Sequence, residues 1–196
     1  MRATVAGCVW LLAVSLGLTP ASALGQTGGG WVTLFDGKNL DQFVATGDAD
    51  WHIVDGVLEA TKARGFLVSK QSYTDFELRG EVWVTTQSNA GFLFRITNPK
   101  DPGIENGYEL NINDERKDQS GRTGSIVNVA KPLAKFDSGG KWTRVEIIAK
   151  GPAMTARLDG ILTAEASDAR FPRGPVALQA AGGLVRYRNV QIRELK

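Results

Sequence analysis

Beyond residue 30 the chain alternates. Apolar side chains recur at every second position in short runs, and Gly, Asp, Asn and Pro separate the runs. This is the pattern of half-buried strands joined by turns, without the 3.6-residue recurrence of a surface helix. Strands are predicted over 31–35, 51–54, 57–60, 66–69, 75–85, 91–97, 107–113, 124–129, 142–150, 154–158, 161–166, 176–180 and 185–194. Two of the turns are Asp-Gly pairs, Asp55-Gly56 and Asp159-Gly160, which accept the positive φ angles of a two-residue hairpin. About a dozen short strands predict an all-β fold, a two-sheet antiparallel β-sandwich with a jelly-roll path rather than a small barrel. The polar stretches 97–106 and 114–122 flank the strand 107–113 as loops, where specificity is normally carried.

That strand is the most informative part of the chain. Tyr108, Leu110 and Ile112 fall on one face, while Glu109, Asn111 and Asn113 fall on the other. A carboxylate and two amides, spaced two residues apart on a rigid surface, suit a hydroxyl-rich molecule, so the expected partner is carbohydrate, as substrate or as ligand. Glu109 is the candidate acid or base, because a half-desolvated carboxyl has a raised pKa. On 91–97, Phe92, Phe94 and Ile96 face one way and Leu93 and Arg95 the other, which places Arg95 beside Glu109, as its ion partner or as a hydrogen-bond donor to substrate. Gln179, between the small residues Ala177 and Ala181, is a candidate ligand contact or a loop contact. Asn89 is a candidate substrate contact or ordinary turn chemistry. Trp83, on the polar side of its strand with Arg79 and Glu81, is a candidate for stacking on a sugar or for covering a sheet edge. Asp114 and Asn113 are the weak candidates for a divalent metal such as calcium, which takes oxygen ligands. The only histidine, His52, is expected to be structural or solvent-facing.

The first residues read as an export signal. Met1-Arg2 is a short positive start, residues 5–18 are nearly all apolar, and Ala21-Ser22-Ala23 has the small-x-small pattern of a cleavage site. Residues 1–23 are therefore expected to be a signal peptide, 24–30 a flexible lead-in, and 31–196 a single domain, secreted or periplasmic. The apolar run is too short to span a membrane. The sole cysteine, Cys8, leaves with the signal, so the mature chain has no disulfide to rely on. Lys and Arg (23) nearly balance Asp and Glu (21), and no basic cluster lies on a nucleic-acid motif, so nucleic acid is not an expected partner.

Several blocks then resemble, in order, those of the 3-keto-disaccharide hydrolase domain family. They are Leu34-Phe35-Asp36-Gly37-Lys38-Asn39-Leu40, Trp51 with Asp55-Gly56-Val57-Leu58, Tyr73-Thr74-Asp75-Phe76-Glu77-Leu78 and Asn89-Ala90-Gly91-Phe92-Leu93-Phe94-Arg95. Gly107-Tyr108-Glu109, Thr123-Gly124-Ser125-Ile126, Leu158-Asp159-Gly160, Leu178-Gln179 and Arg188-Asn189-Val190 continue the agreement towards the C terminus. The resemblance implies a concanavalin A-like jelly roll that cleaves the glycosidic bond next to a sugar ring oxidised at C3. Two departures stand out: Ala180-Ala181-Gly182-Gly183 follows Leu178-Gln179 where the family commonly has a His, and Asn111 stands where it often has Gln. The spacing Glu109-x-Asn111-x-x-Asp114 also looks like a degraded copy of the paired-carboxylate signature of laminarinase-type glucanases. A 3-keto sugar offers another route, because its ketone acidifies the C2 hydrogen and one base can start an elimination that hydration completes. The alternative is a non-catalytic carbohydrate-binding or surface-associated sandwich.

Overall fold

Two antiparallel sheets face each other across a core of aromatic and aliphatic side chains in the computed structural model, which describes Met1 and residues 30–196. The expected signal peptide and the lead-in up to residue 29 thus lie, but for Met1, outside the described residues. With strands numbered in chain order, the larger sheet runs β11 (Ile161–Ser167), β10 (Ala153–Leu158), β9 (Trp142–Lys150), β6 (Phe76–Val84), β13 (Val185–Glu194), β4 (Val57–Ala60), β3 (His52–Val54), and β1 (Val32–Phe35) also pairs with β13. The smaller sheet runs β2 (Phe43–Gly47), β5 (Arg64–Ser69), β12 (Ala177–Ala181), β7 (Ala90–Phe94), β8 (Tyr108–Ile112). The one helical piece among the described residues is the 3-10 turn Gln119–Gly121. The fold is the predicted all-β sandwich. Both Asp-Gly pairs form tight hairpin turns, with φ of 50° and 76° at Asp55 and Gly56 and 50° and 82° at Asp159 and Gly160.

The alternating pattern works because each strand gives one phase to the inter-sheet core. From the larger sheet come Phe76, Leu78, Val82, Ile147, Leu158 and Tyr187, and from the smaller Leu67, Phe92, Phe94, Tyr108, Leu110 and Leu178. Aromatic rings form a chain through this core, Phe76 to Phe94 to Tyr108 to Phe171, with centroids 6.0, 5.4 and 5.1 Å apart. Burial of each large side chain contributes about 1.5–3 kcal/mol.

The structure departs from the sequence pattern in three places. The strand β2 was not predicted, because only Phe43 of its five residues is buried and an edge strand with one anchor has no period to read. Residues 124–129 are not a regular strand. They run beside the outer edge of β8 through Asn111 N to Ser125 O (3.1 Å), Gly124 N to Asn111 O (2.9 Å) and Val127 N to Glu109 O (3.0 Å), then turn back at Asn128 with φ of 59°. Finally, β7 stops at Phe94, because Arg95 takes a left-handed φ of 53° that ends the alternation.

Candidate functional site

Strand pairing in the smaller sheet fixes which side chains share its outer face. Residues directly opposite in antiparallel neighbours point the same way, which gives one row of Val68, Ala177, Leu93 and Glu109 and a second of Phe66, Gln179, Gly91 and Asn111. Phe66, Val68, Leu93, Ile96 and Ala177 form an apolar cluster separate from the inter-sheet core. On this apolar floor stand three polar side chains, Glu109, Asn111 and Gln179, all buried. The expected convergence of Arg95, Glu109, Asn111 and Gln179 on one face holds for the last three and fails for Arg95.

Gly91 shapes the site by what it lacks. A Cβ built there would sit 2.9 Å from Glu109 Oε1 and 3.1 Å from Leu110 O. The carboxyl of Glu109 therefore leans across the bare glycine towards Gln179 on the next strand. From the core side, the Tyr187 hydroxyl donates to Gln179 O at 2.6 Å and also approaches Gly91 O at 3.2 Å, tying the floor of the site to the larger sheet. Burial pushes the Glu109 carboxyl from its ordinary 4.5 up to about 7, against the opposing pull of the Gln179 amide and of the Arg64 and Arg116 guanidinium groups. Such a carboxyl can take or give a proton near neutral pH.

Two acceptors beside it are unused. Asn111 donates through Nδ2 to Gly121 O, which holds the loop after β8 against the site, but its Oδ1 is buried with no hydrogen-bond partner among the described residues. The Oε1 of Gln179 is in the same condition. A desolvated acceptor without a donor is costly, and a ligand bearing hydroxyl groups would relieve both.

The other sequence candidates lie elsewhere or are occupied. Arg95 does not stand beside Glu109. Its side chain is 1% exposed and donates to Thr74 O (2.9 and 2.6 Å), Gly151 O (2.7 Å) and Asp75 Oδ1 (3.3 Å). The left-handed turn at Arg95 redirects it towards the start of β6 and the β9–β10 turn, so it ties the sheets together. Desolvation pulls its pKa below the ordinary guanidinium value, and Asp75 counters that pull.

Asp114 is also committed: it accepts from Thr123 Oγ1 (2.6 Å), Ser138 N (2.8 Å) and Gly139 N (2.7 Å), so both carboxylate oxygens are satisfied within the loops. Asn113 donates to Asn89 Oδ1 at 3.3 Å, which puts these two amides together at the rim of the face, one row beyond Gln179. No group of three His, Cys, Asp or Glu side chains able to hold a metal occurs among the described residues, and Asp114 does not fit the role. Trp83 belongs to the outer face of the larger sheet, on the far side of the molecule from Glu109. The Arg186 guanidinium lies 5.0 Å from its ring centroid, and Trp142 is its cross-strand partner. His52 lies exposed on β3, 4.0 Å from Asp50.

A groove of about 490 Å³ also opens on that outer face, between Arg79, Glu81, Arg144, Glu146 and Arg157. Most of its charged groups have partners already: Arg79 with Gln191, Glu81 with Arg188, and Glu146 with Arg157. Two of the buried polar atoms that lack partners among the described residues, Asn111 Oδ1 and Gln179 Oε1, are on the Glu109 face. Sequence reasoning missed three residues of that face: Gly91, Arg64 and Arg116. Only Gly91 carried a signal, since glycine inside a strand marks a close approach.

A family model described as 3-keto-alpha-glucoside-1,2-lyase-like domain matches residues 30–193. No curated protein matches the chain. Among solved structures, a Parabacteroides distasonis protein provisionally assigned as a glycosyl hydrolase is 26% identical, with 85% of this chain and 100% of that one covered and a TM-score of 0.71. A second from the same organism, with the same provisional assignment, is 21% identical over 85% and 95%, with a TM-score of 0.74. The carbohydrate-binding module CBM66 from Bacillus subtilis shares the fold at 17% identity, with 86% and 98% covered and a TM-score of 0.61.

Proposed function

Since the chain belongs to the 3-keto-alpha-glucoside-1,2-lyase-like domain family, we propose that it cleaves the glycosidic bond of a 3-keto-glycoside, with Glu109 as the base. Family membership and the glycosyl hydrolase and carbohydrate-binding neighbours support carbohydrate processing or binding as the broad role.

One observation carries the finer reading: among the described residues, Glu109 is the one carboxyl in the strand rows that make this face. Ordinary glycosidases flank the scissile bond with two, and here the second carboxylate of the Glu-x-Asn-x-x-Asp spacing is held by Thr123, Ser138 and Gly139. A 3-keto sugar needs only one base. Glu109 takes the C2 proton, the C–H electron pair becomes the C1=C2 double bond, and the C1–O bond breaks with its electrons leaving on the departing oxygen, which is then protonated. Water afterwards adds across the double bond. Oxidation at C3 precedes this step, because it is the ketone that makes the C2 hydrogen acidic. Gln179 and Asn111 hold sugar hydroxyls through their free oxygens. In the same reading the protein acts outside the cytoplasm, after removal of residues 1–23.

The pH dependence tests the assignment. A base must be ionised, so kcat/KM for a 3-keto-glucoside should rise through a pH of about 7 and then level. A rate that is flat or falling across that range would contradict Glu109 as the base.

A further inference from the structure

Two arginines beside the Glu109 face are in no direct ion pair among the described residues. Arg122, Arg157, Arg170, Arg186, Arg188 and Arg193 each pair with a carboxylate. The side chains of Arg64 and Arg116, both exposed, make no hydrogen bond or direct ion pair among the described residues; both act electrostatically on Glu109, and Arg116 also on Asp118. They reach the face from opposite sides.

Arg64 opens β5 in the row that continues through Ala181, and its guanidinium carbon lies 5.2 Å from the Phe66 ring centroid. It is set there by a built turn. Asp50 accepts from Thr61 N (2.8 Å), Thr61 Oγ1 (2.8 Å) and Lys62 N (2.9 Å), Ala63 takes a left-handed φ of 62°, and Arg64 O accepts from Asp48 N at 2.9 Å. Arg116 comes from the loop after β8 and lies against Gly121, where a Cβ would be 2.7 Å from its Nε. Gly121 is the residue whose carbonyl accepts from Asn111.

The site thus pairs two kinds of available group. The buried oxygens Asn111 Oδ1 and Gln179 Oε1 require donors, which sugar hydroxyls supply. The two guanidinium groups, exposed and in no direct ion pair, can take an anionic acceptor, and a carboxylate matches their forked donors. We propose that Arg64 and Arg116 select an acidic sugar, a glycoside bearing a uronate carboxylate, for the Glu109 face. This rests on that face being the sugar site.

The test compares methyl α-D-glucuronide with methyl α-D-glucoside in NMR-monitored titrations of the wild-type protein and of the Arg64→Gln, Arg116→Gln double variant. The wild type should bind the glucuronide roughly tenfold more tightly at low salt, and about 1 M salt, with a Debye length of about 3 Å, should erode the preference. In the double variant the ratio should fall to about one. Equal binding of the two glycosides by the wild type, or a preference that survives both substitutions, would overturn the acidic-sugar assignment and leave the Glu109 site standing. Binding of neither glycoside, with no shift of resonances from Glu109, Asn111 or Gln179, would overturn both.

Discussion

Glu109→Gln is expected to lower turnover of a 3-keto-glycoside by roughly 10²- to 10⁴-fold while the protein stays folded, the range typical of a lost general base. Glutamine fills the same volume over Gly91 and keeps an oxygen for the Gln179 amide, but it cannot accept the C2 proton. The same substitution carries a stability signature that needs no substrate. In the folded protein burial holds the Glu109 pKa at about 7, against 4.5 ordinarily. Between those two pH values the folded state therefore binds more protons than the unfolded state. Stability contributed by the neutral carboxyl is present below about 4.5 and is lost as pH rises to about 7, by up to about 3 kcal/mol. The glutamine variant lacks this loss, so above pH 7 it should be more stable than wild type in urea denaturation. Wild type and variant with parallel stability curves between pH 4.5 and 8 would show that Glu109 is not a desolvated carboxyl.

Arg95→Ala should have the largest effect on the fold. The substitution removes a buried cation and takes the side-chain donors from Thr74 O and Gly151 O at the junction of the two sheets, while the Asp75 carboxylate keeps only Gly151 N. Breaking a buried ion pair from one side costs roughly 3–5 kcal/mol; with Asp75 partly exposed the lower end applies, and for a domain of this size that lowers Tm by roughly 6–12 °C. Arg95→Lys should recover only part of the loss, since an ammonium cannot reproduce the planar fork. What remains folded should keep the wild-type pH dependence of turnover, because Arg95 does not touch the Glu109 face. A variant of unchanged Tm and abolished turnover would return Arg95 to the active site.

The contrast between these two residues shows what the sequence could reveal. Strict alternation on 107–113 and 176–180 made the shared face of Glu109, Asn111 and Gln179 legible, since period two leaves no choice of side once the apolar phase is buried. Alternation failed for Arg95 because one left-handed residue ends β7, and an Arg at positive φ has no signature in a single sequence. Trp83 had the right phase on its own strand, but phase does not say which of two sheets a strand joins. Asp114 looked available because the partners that occupy it, Thr123, Ser138 and Gly139, lie 9, 24 and 25 residues away in the chain. Arg64 and Arg116 come from turns and loops whose geometry depends on Asp50 and Gly121, contacts that no periodicity announces.

Action of one carboxyl on a sugar already oxidised at C3 is tested by offering the purified protein a 3-keto-glucoside and its unoxidised parent side by side. Release of the aglycone from the 3-keto-glucoside alone is the predicted result, with the C2 hydrogen lost to solvent. Cleavage of the unoxidised parent at a comparable rate, or binding of both sugars with cleavage of neither, would contradict it; the second outcome would identify the face as a carbohydrate-binding surface.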